Sequence, residues 1–240
     1  MVWPLRRPKK KREEFSEGHS RGLMTLTEPA GAVSEAYRTL RTKIFYSATD
    51  NPPKVILITS PSSRAGKSTT CANLGVVMAQ AGKSTLVVDC DLRRSALHKI
   101  FGLRNTHGLM NVLAQEGEPQ EFWHEPLKGL HVLTSGPLPP SPTEVLSSQL
   151  VAGFLEQARR EFDYVLLDTP PTTPLISDSV ILAPQADGVI LVVDVERTRK
   201  GPSRQAIQSL EMVGARFLGT VVTNAVAASR DSYYPPAGYY

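Results

Sequence analysis

At 240 residues, 41% of them apolar, the chain has the size and composition of one domain with a real core, flanked by tails. No stretch approaches the roughly 20 apolar residues of a membrane span, the basic N-terminus lacks the apolar run of a signal peptide, and the five histidines (His19, His98, His107, His124, His131) show no metal-ligand spacing. The net charge of +4 is a local property. Arg6, Arg7, Lys9, Lys10, Lys11 and Arg12 carry six positive charges, the rest of the chain stands at −2, and a nucleic-acid-binding domain is not indicated.

Residues 1–31 read as a basic, flexible tail. It is simply solvated, or adheres to an anionic membrane surface with Val2, Trp3 and Leu5 inserting beside the charges, or, as the least favoured reading, contacts nucleic acid. Residues 32–47 read as a helix with Val33, Tyr37, Leu40 and Ile44 in one apolar stripe. Glu35, Arg38 and Arg41 share one flank of it, as an intrahelical ion pair on a packed helix or as a contact surface between subunits.

Residues 54–69, KVILITSPSSRAGKST, organise the rest of the chain. Val55, Ile56, Leu57 and Ile58 form a short buried strand, 60–65 is a small polar loop, and Gly66-Lys67-Ser68-Thr69 opens an apolar helix. Strand, loop, Gly-Lys-Ser and helix are the layout of a phosphate-binding loop. Amides of Ser63, Arg64, Ala65, Gly66 and Thr69 face the phosphates, Lys67 reaches the β/γ oxygens, and the Ser68 hydroxyl ligates Mg²⁺. The strict pattern asks for Gly where Pro61 stands. The same pentapeptide, AGKST, recurs at 81–85, where Gly82 reads as a helix-terminating glycine.

Thr85–Asp89 is a second buried strand, running into Cys90-Asp91-Leu92-Arg93, with Asp89 and Asp91 expected to point the same way beyond the sheet. Cys71 and Cys90 read as core thiols. Residues 95–128 are a mixture of short helices and loops, and Leu130–Leu133 is a short strand. A Pro-rich connector leads to Ser141-Pro142-Thr143-Glu144, a capping-box spacing that starts one helix running to Phe162, with Leu146, Leu150, Phe154 and Ala158 on its buried face. Tyr164–Asp168 is a third buried strand ending in Asp-Thr-Pro-Pro. A helix at 177–183, a strand at 188–193, a helix at 202–213 and a strand at 217–224 complete the pattern. Continuous apolar strands alternating with helices imply an α/β fold, a mostly parallel sheet with helices on both faces. Its ligands sit at the carboxyl ends of the strands, where the phosphate loop, Asp89, Asp91 and Asp168 all lie. The domain is expected over 32–228 and a tyrosine-rich tail over 229–240, with four of the seven tyrosines, Tyr233, Tyr234, Tyr239 and Tyr240, in the last eight residues.

With Lys67 on the phosphates and Ser68 and Asp168 on the metal, one or both of Asp89 and Asp91 are free to orient or deprotonate an attacking hydroxyl. If that hydroxyl is water the protein is an ATPase; if it is a tyrosine phenol it is a kinase, and the tail offers phenols. Over residues 32–240 the sequence resembles the bacterial tyrosine kinases of capsular and exopolysaccharide biosynthesis, a branch of the P-loop NTPases. SPSSRAGKST resembles their relaxed Walker A motif, LVVDCDLR their second motif, VLLDTPP their Walker B motif, Glu35-x-x-Arg38-x-x-Arg41 their oligomerisation motif, and the terminal tyrosines their autophosphorylation region. The resemblance implies a partition-ATPase-like fold. It implies Mg²⁺ and ATP as cofactors, with Lys67, Asp89 and Asp91 catalytic, Ser68, Asp91 and Asp168 at the metal, and Asn224 beside the nucleotide. It also implies autophosphorylation of Tyr233, Tyr234, Tyr239 and Tyr240 between copies in a ring-like homo-oligomer, held through Glu35, Arg38 and Arg41. The activator is expected to be the cytoplasmic segment of a transmembrane polysaccharide co-polymerase. The expected location is cytoplasmic, peripheral at the inner face of the plasma membrane. Two other readings are a partition- or division-site-type regulatory ATPase, whose signature Lys is Ser62 here, and a non-catalytic ATP-gated scaffold.

Overall fold

A computed structural model describes residues 22–47, 52–175 and 178–225. Seven strands form one sheet: β1 (Val55–Thr59), β2 (Thr85–Asp89), β3 (Trp123–Leu127), β4 (Leu130–Leu133), β5 (Tyr164–Asp168), β6 (Gly188–Asp194) and β7 (Phe217–Thr223). Their spatial order is β3-β4-β2-β5-β1-β6-β7, and every pairing is parallel except β3 with β4. The expected α/β class is what is found. The central strands are buried on both faces, which is why they read as unbroken aliphatic runs. Their side chains alternate between two cores. Val55, Leu57, Leu86, Val88, Val165 and Leu167 face one side, and Ile56, Ile58, Val87 and Leu166 face the other.

The second face is covered by α1 (Met24–Thr27), α2 (Ala32–Phe45), α3 (Lys67–Gln80) and α4 (Leu97–Ile100). The first carries α5 (Leu109–Leu113), α6 (Pro142–Leu146), α7 (Gln149–Glu161), α8 (Asp178–Leu182) and α9 (Lys200–Glu211). Helix α3 lies close against the sheet because Gly75 has no side chain: a Cβ there would stand 2.6 Å from Val87 Cγ2. It ends as the second AGKST copy foretold. Gly82 is left-handed at φ +79°, its amide bonds to Ala79 and that of Lys83 to Met78, a Schellman closure.

Several expectations change. The tail boundary moves, since residues 22–31 pack on the domain. Leu23 and Thr25 are fully buried, Asn73 of α3 accepts from the Thr25 amide and hydroxyl, and its own amide donates to Gly22 O at 2.7 Å. On α2 the stripe is displaced at its start: Val33 is exposed and Ser34 is buried, because the Ser34 hydroxyl bonds the Met24 and Glu28 carbonyls. The single helix expected up to Phe162 is two, broken at Ser147-Ser148, where Ser148 is extended and starts α7. The break turns Leu150 outward and brings Val151 and Leu155 in beside Phe154 and Ala158. No capping box forms at Ser141, whose side chain makes no cap bond. Residues 95–128 hold α4, α5 and the antiparallel edge strand β3. Both cysteines are buried free thiols. The tyrosines at 233, 234, 239 and 240 lie outside the described residues, and among those described no helix is long and apolar enough to cross a membrane.

Asp187 ties the opening of β1 to the rest of the domain. Its carboxylate accepts the Lys54 and Val55 amides at 2.8 and 2.7 Å and pairs with Arg159 of α7 at 2.6 Å. Burial alone raises its pKa, but the Arg159 guanidinium and the two amides outweigh it and hold the carboxyl below its ordinary value. A depressed folded-state pKa stabilises above the unfolded value, about 3.9, and that stability is lost as pH falls through the folded one. Asp187→Ala is therefore expected to cost about 2–3 kcal/mol near neutrality. Urea unfolding at stepped pH checks this: the gap to the parent protein should shrink below about pH 4, and a gap independent of pH counts against the assignment.

Candidate active site

The phosphate loop connects β1 to α3 at the carboxyl edge of the sheet. Two left-handed residues shape it, Arg64 at φ +64° and Gly66 at φ +91°. Gly66 meets the need at no cost, and its open side is closed by Thr223, whose methyl would lie 3.2 Å from a Cβ. Arg64 takes up a conformation that glycine adopts freely, at a cost of about 1 kcal/mol, with its side chain exposed to solvent. Thr223 holds the turn by donating to Ala65 O at 2.9 Å, and Ser60 Oγ donates to Ser62 O at 2.6 Å. The first turn of α3 leaves the amides of Lys67, Ser68 and Thr69 without intrahelical acceptors, at the positive end of a 14-residue helix.

Two strand-end carboxylates, Asp89 and Asp168, lie here with a third, Asp91, in the loop that follows β2. Asp89 and Asp168 are register partners on adjacent parallel strands. Both belong to the alternate set of positions that faces α3, because Val88 and Leu167 before them face the other core. Both are fully buried. They differ in what already holds them. Asp89 Oδ1 accepts the Asp91 amide at 3.2 Å, and Oδ2 accepts the Ala96 and Leu97 amides at 3.0 Å each. Its carboxylate folds the loop beyond β2. Asp89 and Asp91 are thus not equivalent, since the carboxylate of one accepts the backbone amide of the other. Neither oxygen of Asp168 has a hydrogen-bond partner among the described residues. Burial pushes the Asp168 pKa up to about 7, against the Lys67 ammonium and the Ser68 hydroxyl, which lower it, with Asp91 adding to the rise. Ser68 faces Asp168 without closing a hydrogen bond of ordinary geometry. Burial, then the Asp168 charge, also raises Asp89, against the Leu97 and Ala96 amides.

Asp91 lies one residue past Cys90, in the loop after β2. It is 6% exposed, its Oδ1 accepts the Arg94 amide at 3.0 Å, and Lys67, itself buried, acts on it electrostatically. Burial raises its pKa above the ordinary value, with the Arg94 amide and Lys67 acting against the rise. On the other flank Asn224, left-handed at φ +54°, donates to Asp194 Oδ2 at 3.0 Å. Ser63 and Arg64 are exposed on the loop, and Ala65 is buried beneath it. Glu35 and Arg38 form an exposed ion pair at 2.8 Å, with Arg38 also donating to Pro29 O, while Arg41 turns inward to Val77 O of α3 at 3.1 Å, its guanidinium 5.9 Å over the Phe45 ring.

The fully buried orphan pair on Asp168, opposite Ser68 at a helix N-terminus, fits a hard divalent cation beside phosphate. Two residues of the site went unnoticed in sequence. Asp194 ends β6 as Asp168 ends β5, so its position was a readable signal. Asp178 is fully buried and bonded to Arg93 and Thr143, and nothing local in the sequence marks it.

A family model described as an AAA domain matches residues 53–216. The tyrosine-protein kinase YwqD of Bacillus subtilis (strain 168) is 40% identical over 221 residues, which cover 92% of this chain and 91% of that one. The chain belongs to the bacterial tyrosine kinase family. Within it, the putative tyrosine-protein kinase CapB of Staphylococcus aureus is 34% identical over 208 residues, 86% of this chain and 91% of its own. A solved structure of the chimerical protein CapA2B2 superposes with a TM-score of 0.80 at 35% identity, covering 84% of this chain and 89% of that one. The tyrosine-kinase branch thus shares nearly the whole chain, not the nucleotide-binding core alone.

Proposed function

We propose that this protein is an ATP-dependent protein-tyrosine kinase that phosphorylates the cluster Tyr233, Tyr234, Tyr239 and Tyr240 on copies of itself and thereby regulates capsule or exopolysaccharide synthesis. The observation that carries the reading is the division of labour among the three carboxylates. Asp168 is orphaned and faces Ser68, Asp89 is occupied by three backbone amides, and Asp91 is left near Lys67 with acceptor capacity to spare. That is one carboxylate for a cation, one for the loop and one for a proton.

In this reading the amides of the phosphate loop and of the first turn of α3 bind the triphosphate, and the Lys67 ammonium sits against the charge that grows on the transferring group. Ser68 and Asp168 would hold Mg²⁺, which when bound neutralises charge on the phosphate oxygens. The phenol oxygen attacks the γ-phosphorus, the bond from that phosphorus to the bridging oxygen of ADP breaks, and the phenolic proton passes to Asp91. Burial strengthens Asp91 as a proton acceptor. Asn224, held by the buried Asp194 carboxylate, would lie beside the nucleotide. Arg64 supplies the backbone turn at φ +64° with its side chain exposed to solvent. Glu35, Arg38 and Arg41 serve assembly into a ring of copies. The activating partner is the cytoplasmic segment of a transmembrane polysaccharide co-polymerase, and the location is the inner face of the plasma membrane, aided by the basic N-terminus.

Incubation with Mg-ATP, with and without that activating segment, followed by mass spectrometry of the C-terminal peptide, tests the reading. Phosphate is expected on at least one of the four tail tyrosines. ADP release with an unmodified tail in both conditions would point instead to a regulatory ATPase, and absence of nucleotide binding to a scaffold.

A further inference from the structure

Three loops at the carboxyl edge of the sheet meet in a closed ring of polar side chains that takes no direct part in phosphoryl transfer. Arg93, from the loop after β2, donates through Nε to Asp178 Oδ2 at 2.8 Å and through Nη2 to Thr143 Oγ1 at 2.8 Å. Thr143, in the first turn of α6, passes its own proton to Asp178 Oδ1 at 2.7 Å. Asp178, the first residue of α8, is fully buried, and both of its oxygens are taken. Every donor and acceptor that the ring needs is matched, and the buried carboxylate has its cation.

The ring grips the backbone that carries Asp91. Residues 91–94 form a turn closed by the Arg94 amide on Asp91 O at 3.2 Å. That turn is pinned at two adjacent residues, by Leu92 in the core at 4% exposure and by Arg93 in the ring. Asp91 and Asp178 are close enough to repel, and the Arg93 guanidinium answers the Asp178 charge. We propose that Arg93, Thr143 and Asp178 are positioning residues that set the place of Asp91 and so govern the phosphoryl-transfer step without touching the nucleotide. The inference rests on the reading of Asp91 as the proton acceptor. Thr143 and Asp178 also bring in the loops after β4 and β5, so the proton acceptor is held in register with the elements flanking Asp168.

Single-turnover and steady-state tail phosphorylation by the full chain, with ATP varied, tests this. Thr143→Val keeps the Arg93–Asp178 pair and the shape of the side chain. It is expected to lower kcat about 10-fold, and Arg93→Ala about 10- to 100-fold, with KM for ATP moving less than about threefold. Thr143→Ser, which restores the hydroxyl, should return kcat to near the parent value. Arg93→Gln with Asp178→Asn removes both charges together, guards against misfolding from an unpaired buried carboxylate, and is expected to stay folded but slow. Asp91→Asn is measured alongside. If it abolishes transfer while Thr143→Val and the double variant keep kcat within twofold, the positioning role is overturned and the reading of Asp91 stands. If Asp91→Asn itself phosphorylates normally, the reading of Asp91 falls and the inference falls with it. A kcat loss matched by an equal rise in KM, or one not rescued by Thr143→Ser, signals a structural role and also overturns the proposal.

Discussion

Lys67→Met is expected to reduce phosphate incorporation into the tail by at least about 100-fold, the scale seen when one preorganised charge is removed from a transition state. Lys67 is the first residue of α3, buried, with Asp91 and Asp168 both in its field. Methionine keeps most of the volume and the helix propensity, so the loop and the Gly66 turn should survive. The loss should therefore fall on transfer more than on folding. The measurement is radiolabel incorporation at saturating ATP, with a thermal melt as control. A variant that melts like the parent and still labels its tail within fivefold would remove Lys67 from the chemistry. Because Lys67 lowers the Asp168 pKa, its loss also lets Asp168 hold a proton to higher pH. The Mg²⁺ concentration giving half-maximal nucleotide binding should then rise most sharply at acid pH, where a protonated Asp168 cannot serve a cation.

The second large effect is on assembly. On the proposal that copies assemble through α2, Glu35→Ala, Arg38→Ala and Arg41→Ala combined are expected to leave a monomer, read by light scattering across a concentration series. Arginine anchors in an interface commonly carry about 2 kcal/mol or more each, so the assembly constant should fall by roughly 30-fold or beyond. The geometry separates the three residues. Glu35 and Arg38 face solvent as a pair, with side chains 69% and 31% exposed, while Arg41 is engaged with Val77 O and stacked over Phe45. Glu35→Ala with Arg38→Ala should thus dissociate the assembly and leave the melting temperature within a few degrees. Adding Arg41→Ala should lower it further. A particle of unchanged mass in the triple variant would refute the assembly role.

How far the residues announced this arrangement depends on burial. Strands β1, β2, β5 and β6 were legible because both of their faces are covered, which demands unbroken runs such as Val55-Ile56-Leu57-Ile58. Strand β3, Trp123–Leu127, was not, because an edge strand tolerates Glu125 and Pro126 and so lacks that signature. The break at Ser147-Ser148 hid inside an otherwise helical spacing, and only the outward turn of Leu150 exposes it. The phosphate loop was readable from Gly66-Lys67-Ser68. What Arg64 does was not, because a left-handed backbone angle leaves no mark on a residue that is not glycine. Asp89 and Asp91 looked equivalent as letters two apart. The amides of Ala96 and Leu97, which occupy Asp89, come from a turn whose path cannot be read from composition. The ring of Arg93, Thr143 and Asp178 spans 85 residues of sequence, and only the folded sheet edge makes them neighbours.

Arg41 and Lys67 act on opposite stretches of one helix. Val77 lies ten residues along α3 from Lys67, about 15 Å at 1.5 Å per residue, and Gly75 seats the rod between them on Val87. The Val77 carbonyl takes both the Arg41 guanidinium and the Ala81 amide. The helix that presents its first turn to the phosphates is thus tied near its far end to α2, so the surface proposed for assembly and the proposed phosphate site are built on one continuous rod.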